Sequence, residues 1–157
     1  KAVRYELTTG KTRTPVPPGN LAYRKQALLL SLDGSHELTV NSGVHFPRLG
    51  VDGSLDTLAL AGGEWPWTFA VDLVDTVPLR RMKVTFGSGY ATHIEFRVSV
   101  DQKEWTTVAS RENHDGTPLE VVFEPTLGRF VRVCALKPDG PDQPGAQMSI
   151  AEFEAYR

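Results

Sequence analysis

Short runs in which apolar and polar residues alternate strictly, each closed by Gly, Pro, Asn or Asp, constrain this chain more than any other feature. Met82, Val84 and Phe86 alternate with polar partners, as do Ile94, Phe96, Val98 and Val100, and again Leu119, Val121 and Phe123. A period of two places those side chains on one face of a strand and leaves the other face for solvent. No stretch sustains a helical period. Phe69-Ala70-Val71-Asp72-Leu73 and Arg129-Phe130-Val131-Arg132 read as buried strands, Ser99-Val100-Asp101 to Trp105 as a hairpin, and Ile150-Ala151-Glu152-Phe153 as a closing strand. Many short strands separated by turns predict an all-β sandwich or barrel.

The chain has 157 residues, enough for one domain with a proper core. Residues 1–8 alternate with Val3, Tyr5 and Leu7 on one side. Residues 10–20 follow, with Pro15, Pro17, Pro18 and Gly19, and read as a proline-stiffened connector. Residues 1–20 are therefore taken as a lead-in segment or linker, the tail of a neighbouring domain, and residues 21–157 as the domain itself. Ala27 to Leu32, stopped by Asp33-Gly34, predicts a buried strand turning into His36 to Val40.

Charge narrows the partners. A formal charge of −2 and a pI near 6.1, with no basic run, argue against nucleic acid. No apolar stretch approaches the roughly 20 residues of a membrane-spanning helix, so a membrane is not expected as partner. The first residue is Lys1, so the chain is read as a processed form or a piece of a longer protein. Cys134, the single cysteine, sits in an apolar run and reads as a small buried hydrophobe.

Catalytic signals are missing from the sequence. His36, His45, His93 and His114 share no metal-ligand spacing, and no nucleophile elbow or helix-borne His pair is present. The expectation is a domain that is not itself an enzyme. Leu49-Gly50-Val51-Asp52-Gly53-Ser54-Leu55-Asp56-Thr57 admits two readings. It is either an ordinary Asp-Gly turn or a tight loop offering carboxylate, hydroxyl and carbonyl oxygens to calcium.

In order along the chain, the Asp52-Gly53…Thr57 loop, the Asp72-Leu73 strand, the Ser99-x-Asp101…Trp105 hairpin, the Arg129-Phe130-Val131-Arg132 strand and the Glu152-Phe153 strand resemble the discoidin family. This is the coagulation factor V/VIII type C domain, whose bacterial members include the family 32 carbohydrate-binding modules. The resemblance covers residues 25–157 and implies an antiparallel eight-stranded jelly-roll β-sandwich of the galactose-binding type. It also implies a structural calcium held by Asp52, Thr57, the carbonyls of Leu49 and Ser54, and Glu152. Leu58-Ala59 replaces the aromatic residue that usually follows the Thr, and residues 138–147 lack the usual aromatic.

Sugar sites pair an aromatic ring, laid on the C–H face of a pyranose, with side chains that bond hydroxyls two at a time. The resemblance places the second kind after the Ser-x-Asp…Trp hairpin, here at Arg111 and Asn113, with His114 beside them. A solvated hairpin tip reads equally well. Tyr90 is the candidate ring, or else packs at the start of the next strand. Of Trp65 and Trp67 one is expected in the core, leaving the other as a platform, and Trp105 is expected in the core. The function implied is a non-catalytic carbohydrate-binding module. Its partners would be a glycan, of galactose type or another sugar, and other domains of the same polypeptide. The parent would be a secreted or surface bacterial glycan-active enzyme, placed extracellularly, at the cell surface or in the periplasm. The alternative is a structural or protein-interaction β-sandwich domain with no sugar site.

Overall fold

The computed structural model describes residues 18–38, 45–60, 67–137 and 148–157. Six strands, all antiparallel, make up these residues together with one 3-10 turn. They are β1 (Gln26–Ser31), β2 (Trp67–Phe86), β3 (His93–Ser99), β4 (Thr106–Arg111), β5 (Leu119–Lys137) and β6 (Ile150–Tyr156), with the 3-10 turn at Pro47–Gly50. Among the described residues no helix is long and apolar enough to cross a membrane.

Two long strands build both layers. Residues 68–72 of β2 pair with residues 130–134 of β5, and β1 and β3 extend this layer on either side, with β4 beyond β3. Past a break in register, residues 77–84 of β2 pair with residues 119–128 of β5, and β6 joins at Arg81 to Phe86. The sheet thus folds back on itself, and the Phe69 ring of the first layer meets the Phe153 ring of the second at 6.1 Å. β2 and β5 each continue through the bend, so that among the described residues six strands serve both layers.

The bend has a local cause. Asp72 Oδ1 accepts the Val74 N–H at 2.8 Å, and Val74 stands at φ 74°, which a β-branched residue adopts only when held there. Arg129 grips both Asp72 oxygens, at 2.9 and 3.0 Å, from β5. Its hydrogen bonds hold the Asp72 carboxyl below the usual carboxylate range. A bulge of this kind sharpens the twist and turns a strand from one layer into the other.

The inward faces follow the alternation. Met82, Val84, Ile94, Phe96, Leu119 and Val121 are buried, with Trp67 fully so. Val100, read as the end of a buried run, is instead 47% exposed, since β3 stops at Ser99. Trp105 corrects a second expectation. It is half-buried outside the core, with the Arg132 guanidinium 3.9 Å from its ring centroid. Cys134 is buried, and burial pushes its thiol up. At the other margin Asn20 Oδ1 accepts the N–H groups of Ala22 and Ala155, so the described end of the lead-in is tied to β6. Residues 1–17, and the expected strand at 1–8, lie outside the described residues.

Candidate functional site

One end of the sandwich gathers the loops that leave β2, enter β3 and join β4 to β5, with the Asp-Gly loop beside them. The Asp-Gly loop leaves the 3-10 turn and closes on itself. Asp52 Oδ1 accepts the Ser54 N–H at 3.0 Å, and Oδ2 accepts the Thr57 hydroxyl at 2.6 Å. The same hydroxyl lies 3.5 Å from the Ser54 carbonyl. Leu49 lies earlier, in the 3-10 turn, where its N–H donates to the Phe46 carbonyl.

Glu152 approaches this loop from β6. It is 7% exposed, accepts the Gly53 backbone N–H and feels the charge of Asp52. Burial first, then Asp52, pushes its carboxyl up to about 8, and Oε1 is buried with no hydrogen-bond partner. Asp52, the Ser54 carbonyl, Thr57 and Glu152 are all hard oxygen donors, the set calcium selects. An orphaned, crowded carboxylate oxygen is what a cation would relieve, so these residues fit the ion. Among the described residues no three His, Cys, Asp or Glu side chains converge, so neutral oxygens would complete the shell.

The loop from Arg111 to Leu119 presents the expected polar groups unequally. Arg111, Glu112 and Asn113 are exposed. Asn113 adopts φ 53°, a left-handed turn that Asn tolerates, and this points the next residue inward. His114 is accordingly buried. Its ring lies 5.3 Å from Phe86 and 6.0 Å, edge-on, from Tyr90, and its N–H donates to the Thr92 carbonyl. Sequence places His114 on the surface beside Arg111 and Asn113; the structure turns it beneath them. Tyr90 is half-buried, in the loop before β3 and outside any strand. Asn113 and Glu112 also line a cavity of about 130 Å³ with Thr92, His93 and Lys137. Trp65 lies outside the described residues, while Trp67 is the core member of its pair.

Gly116 makes the Tyr90 contact possible. It sits at φ 89°, and a Cβ there would stand 2.6 Å from Tyr90 Cδ1. Gly116→Ala is expected to lose about 1–3 kcal/mol through backbone strain and overlap, read as a lower urea midpoint, with a changed Tyr90 environment.

The two loop systems are stitched together just before β6. Ser149 exchanges backbone bonds with Gly87 and Gly89, at 2.9 and 3.0 Å, and its hydroxyl bonds both Gly89 backbone groups. The next residue, Ile150, bonds Ala59 in both directions. Gly87 lets Leu58 come this close, since a Cβ there would meet Leu58 Cδ2 at 2.6 Å. Sequence reasoning missed this clasp, and also Phe46, 36% exposed with the Arg48 guanidinium 4.7 Å from its ring centroid. An exposed aromatic two residues before an Arg is the signal that could have found the latter.

Comparison with known proteins bears on what this end does. A curated-protein comparison finds no match. Among solved structures, chitosan-binding module 2 from a chitosanase/glucanase of Paenibacillus sp. IK-5, in complex with chitotriose, is similar at 29% identity. Its TM-score is 0.76, and the match covers 88% of this chain and 100% of that one. Module 1 of the same enzyme is similar at 25% identity and a TM-score of 0.76, covering 88% and 98%. A CBM32 module of Clostridium perfringens, in complex with GalNAc-β-1,3-galactose, shares the fold at 21% identity and a TM-score of 0.68, over 85% of this chain and 96% of that one. The family model described as a NedA-like, galactose-binding domain matches residues 49–133, just over half of the chain. The ordered motifs, the antiparallel sandwich and this match agree, and the chain belongs to the F5/F8 type C, galactose-binding-like family.

Proposed function

We propose that this domain is a non-catalytic carbohydrate-binding module that grips an oligosaccharide at the loop end carrying Arg111, Asn113 and Tyr90. The observation that carries the reading is the juxtaposition itself. An exposed guanidinium at the end of β4 and an exposed carboxamide two residues on immediately precede His114, whose ring meets that of Tyr90 from the neighbouring loop edge-on at 6.0 Å. Arg111 can offer two parallel N–H donors to vicinal hydroxyls, Asn113 a donor and an acceptor, and the outward part of Tyr90 an apolar patch for the sugar's C–H face. Hydrogen bonds from Arg111 and Asn113 beside an apolar ring face make a set suited to holding a sugar.

The similar modules bound to chitotriose and to GalNAc-β-1,3-galactose support an oligosaccharide as ligand. Chitotriose is the first probe, since its complex is the more similar in sequence. The parent would be a secreted glycan-active enzyme, as the similar modules come from a chitosanase/glucanase. Tethering raises the enzyme's local concentration on its glycan, which makes weak single-site affinity sufficient. Calcium belongs to the same reading, held by Asp52, Thr57, Glu152 and the Ser54 carbonyl. There it would supply positive charge that fixes the Asp-Gly loop against β6, and through Ser149 and Ile150 the loop that carries Tyr90.

Affinity electrophoresis through gels containing soluble glycans tests the reading. Wild-type protein is expected to be retarded by at least one glycan of the chitooligosaccharide or galactose type. Arg111→Ala should weaken retention about tenfold or more, the loss of a paired hydrogen bond of about 1.5–3 kcal/mol. Its melting temperature should stay that of the wild type, because Arg111 is exposed. No retardation on any such glycan, or equal retardation of Arg111→Ala, would refute it.

A further inference from the structure

His114 occupies a place that a sugar ligand could not reach. Its ring is wedged between Phe86 of β2 and Tyr90 of the next loop, and Nε2 is buried without a hydrogen-bond partner. The loop it belongs to is shaped to put it there, by left-handed turns at Asn113 and Gly116 and by the His114 N–H bond to Thr92. Two exposed groups named above, Arg111 and Asn113, lie three and one residues before it. Gly116, two residues after it, carries the Tyr90 ring.

We propose, resting on the glycan-binding reading, that His114 is the positioning residue of this end: its neutral ring holds Tyr90 and the Arg111–Gly116 loop together, and its protonation releases them, so that glycan affinity falls on acidification. A second ring proton would place a charge on a buried ring whose Nε2 has no acceptor. That is a costly arrangement unless the ring swings out to water.

The charged and titratable groups around the ring divide. From β4, Arg111 opposes the added charge. From its own loop, Asp115 and a hydrogen bond with the Thr117 backbone favour it. Asp115 is itself held below the usual carboxylate range by its hydrogen bonds with Thr117. Phe86 from β2 is uncharged, and the loop before β3 presents the Tyr90 phenol and the Thr92 carbonyl. His93, Glu112 and Lys137 line the adjoining cavity. Burial outweighs the favourable groups and lowers the tendency of the His114 ring to take up a proton. The release therefore falls below the ordinary histidine range, which centres near about 6.5.

The first arm of the test needs no glycan. Side-chain NMR of the whole chain, between pH 8 and 4, follows the His114 ring, the Tyr90 ring and the Asn113 amide. The three are expected to move with one midpoint below that of an exposed histidine. The second arm measures chitotriose affinity over the same range, which should weaken about tenfold for each pH unit below that midpoint as the competent fraction shrinks. His114→Phe, or His114→Gln if the first does not fold, should flatten the profile. A His114 titration that leaves Tyr90 and Asn113 unmoved overturns the proposal, as does a pH profile that survives in the variant. If chitotriose does not bind at all, the glycan reading suffers alone, and the first arm still decides whether His114 is the switch.

Discussion

Chelating calcium at pH 8 is expected to lower the melting temperature by about 5–10 °C, and by much less at pH 5. An ion present at about a hundred times its dissociation constant adds about 2.7 kcal/mol to the folded state. For a chain of this size each kcal/mol moves the midpoint by about 2–4 °C. The pH dependence comes from Glu152, whose carboxyl is pushed up to about 8 without metal, by burial and then by Asp52. A folded value above the unfolded one means that the native state holds the proton more tightly. Glu152 therefore contributes stability that is complete below the ordinary carboxylate value of about 4.3. That contribution is lost as pH rises toward 8 in the metal-free protein. Calcium replaces the proton as the partner of the buried oxygen, so its effect must grow over the same window. Glu152→Gln, nearly isosteric, should remove both the calcium response and this slope. Asp52→Ala should abolish the calcium response as well, measured by scanning calorimetry with and without chelator. A melting temperature indifferent to calcium at pH 8 would leave the Asp-Gly loop as an ordinary turn.

Phe69→Ala is expected to cost about 3–5 kcal/mol, the range for deleting a buried aromatic ring, and so to approach the whole stability of a domain this size. Phe69 is 1% exposed and touches Phe153 of the other layer. It also underlies the Asp-Gly loop, since a Cβ on Gly50 would stand 2.7 Å from its ring. The loss should therefore appear in urea unfolding as one lowered midpoint for the whole domain. Loss confined to one layer, with the rest unfolding at the wild-type midpoint, would contradict a core shared by both.

The sandwich was legible in the sequence because its signal is local. Met82, Val84, Phe86, Ile94, Phe96 and Val98 lie inward as a period of two requires. The fusion of strands was not legible. Asp72 reads as the end of one strand, and only its bonds to Val74 and to Arg129, 57 residues on, show it as the bulge within a longer one. Trp105 misled for a similar reason, as its cover is the Arg132 guanidinium and not the core. His114 sits in a polar stretch that reads as a solvated tip, and the Phe86 and Tyr90 rings that claim it come from earlier elements. The approach of Glu152 to Asp52, a hundred residues apart, came from the family resemblance and not from any pattern in either segment.

Whether the sandwich presents a glycan site at its loop end is tested most directly by mapping amide chemical shifts during titration with chitotriose, and with a galactose-terminated disaccharide in parallel. At least one sugar is expected to shift signals of Gly87 to His93 and Arg111 to Thr117, leaving those around Trp105 and the bend at Asp72 to Val77 in place. Shifts confined to other surfaces, or none with either sugar at millimolar concentration, would contradict the account.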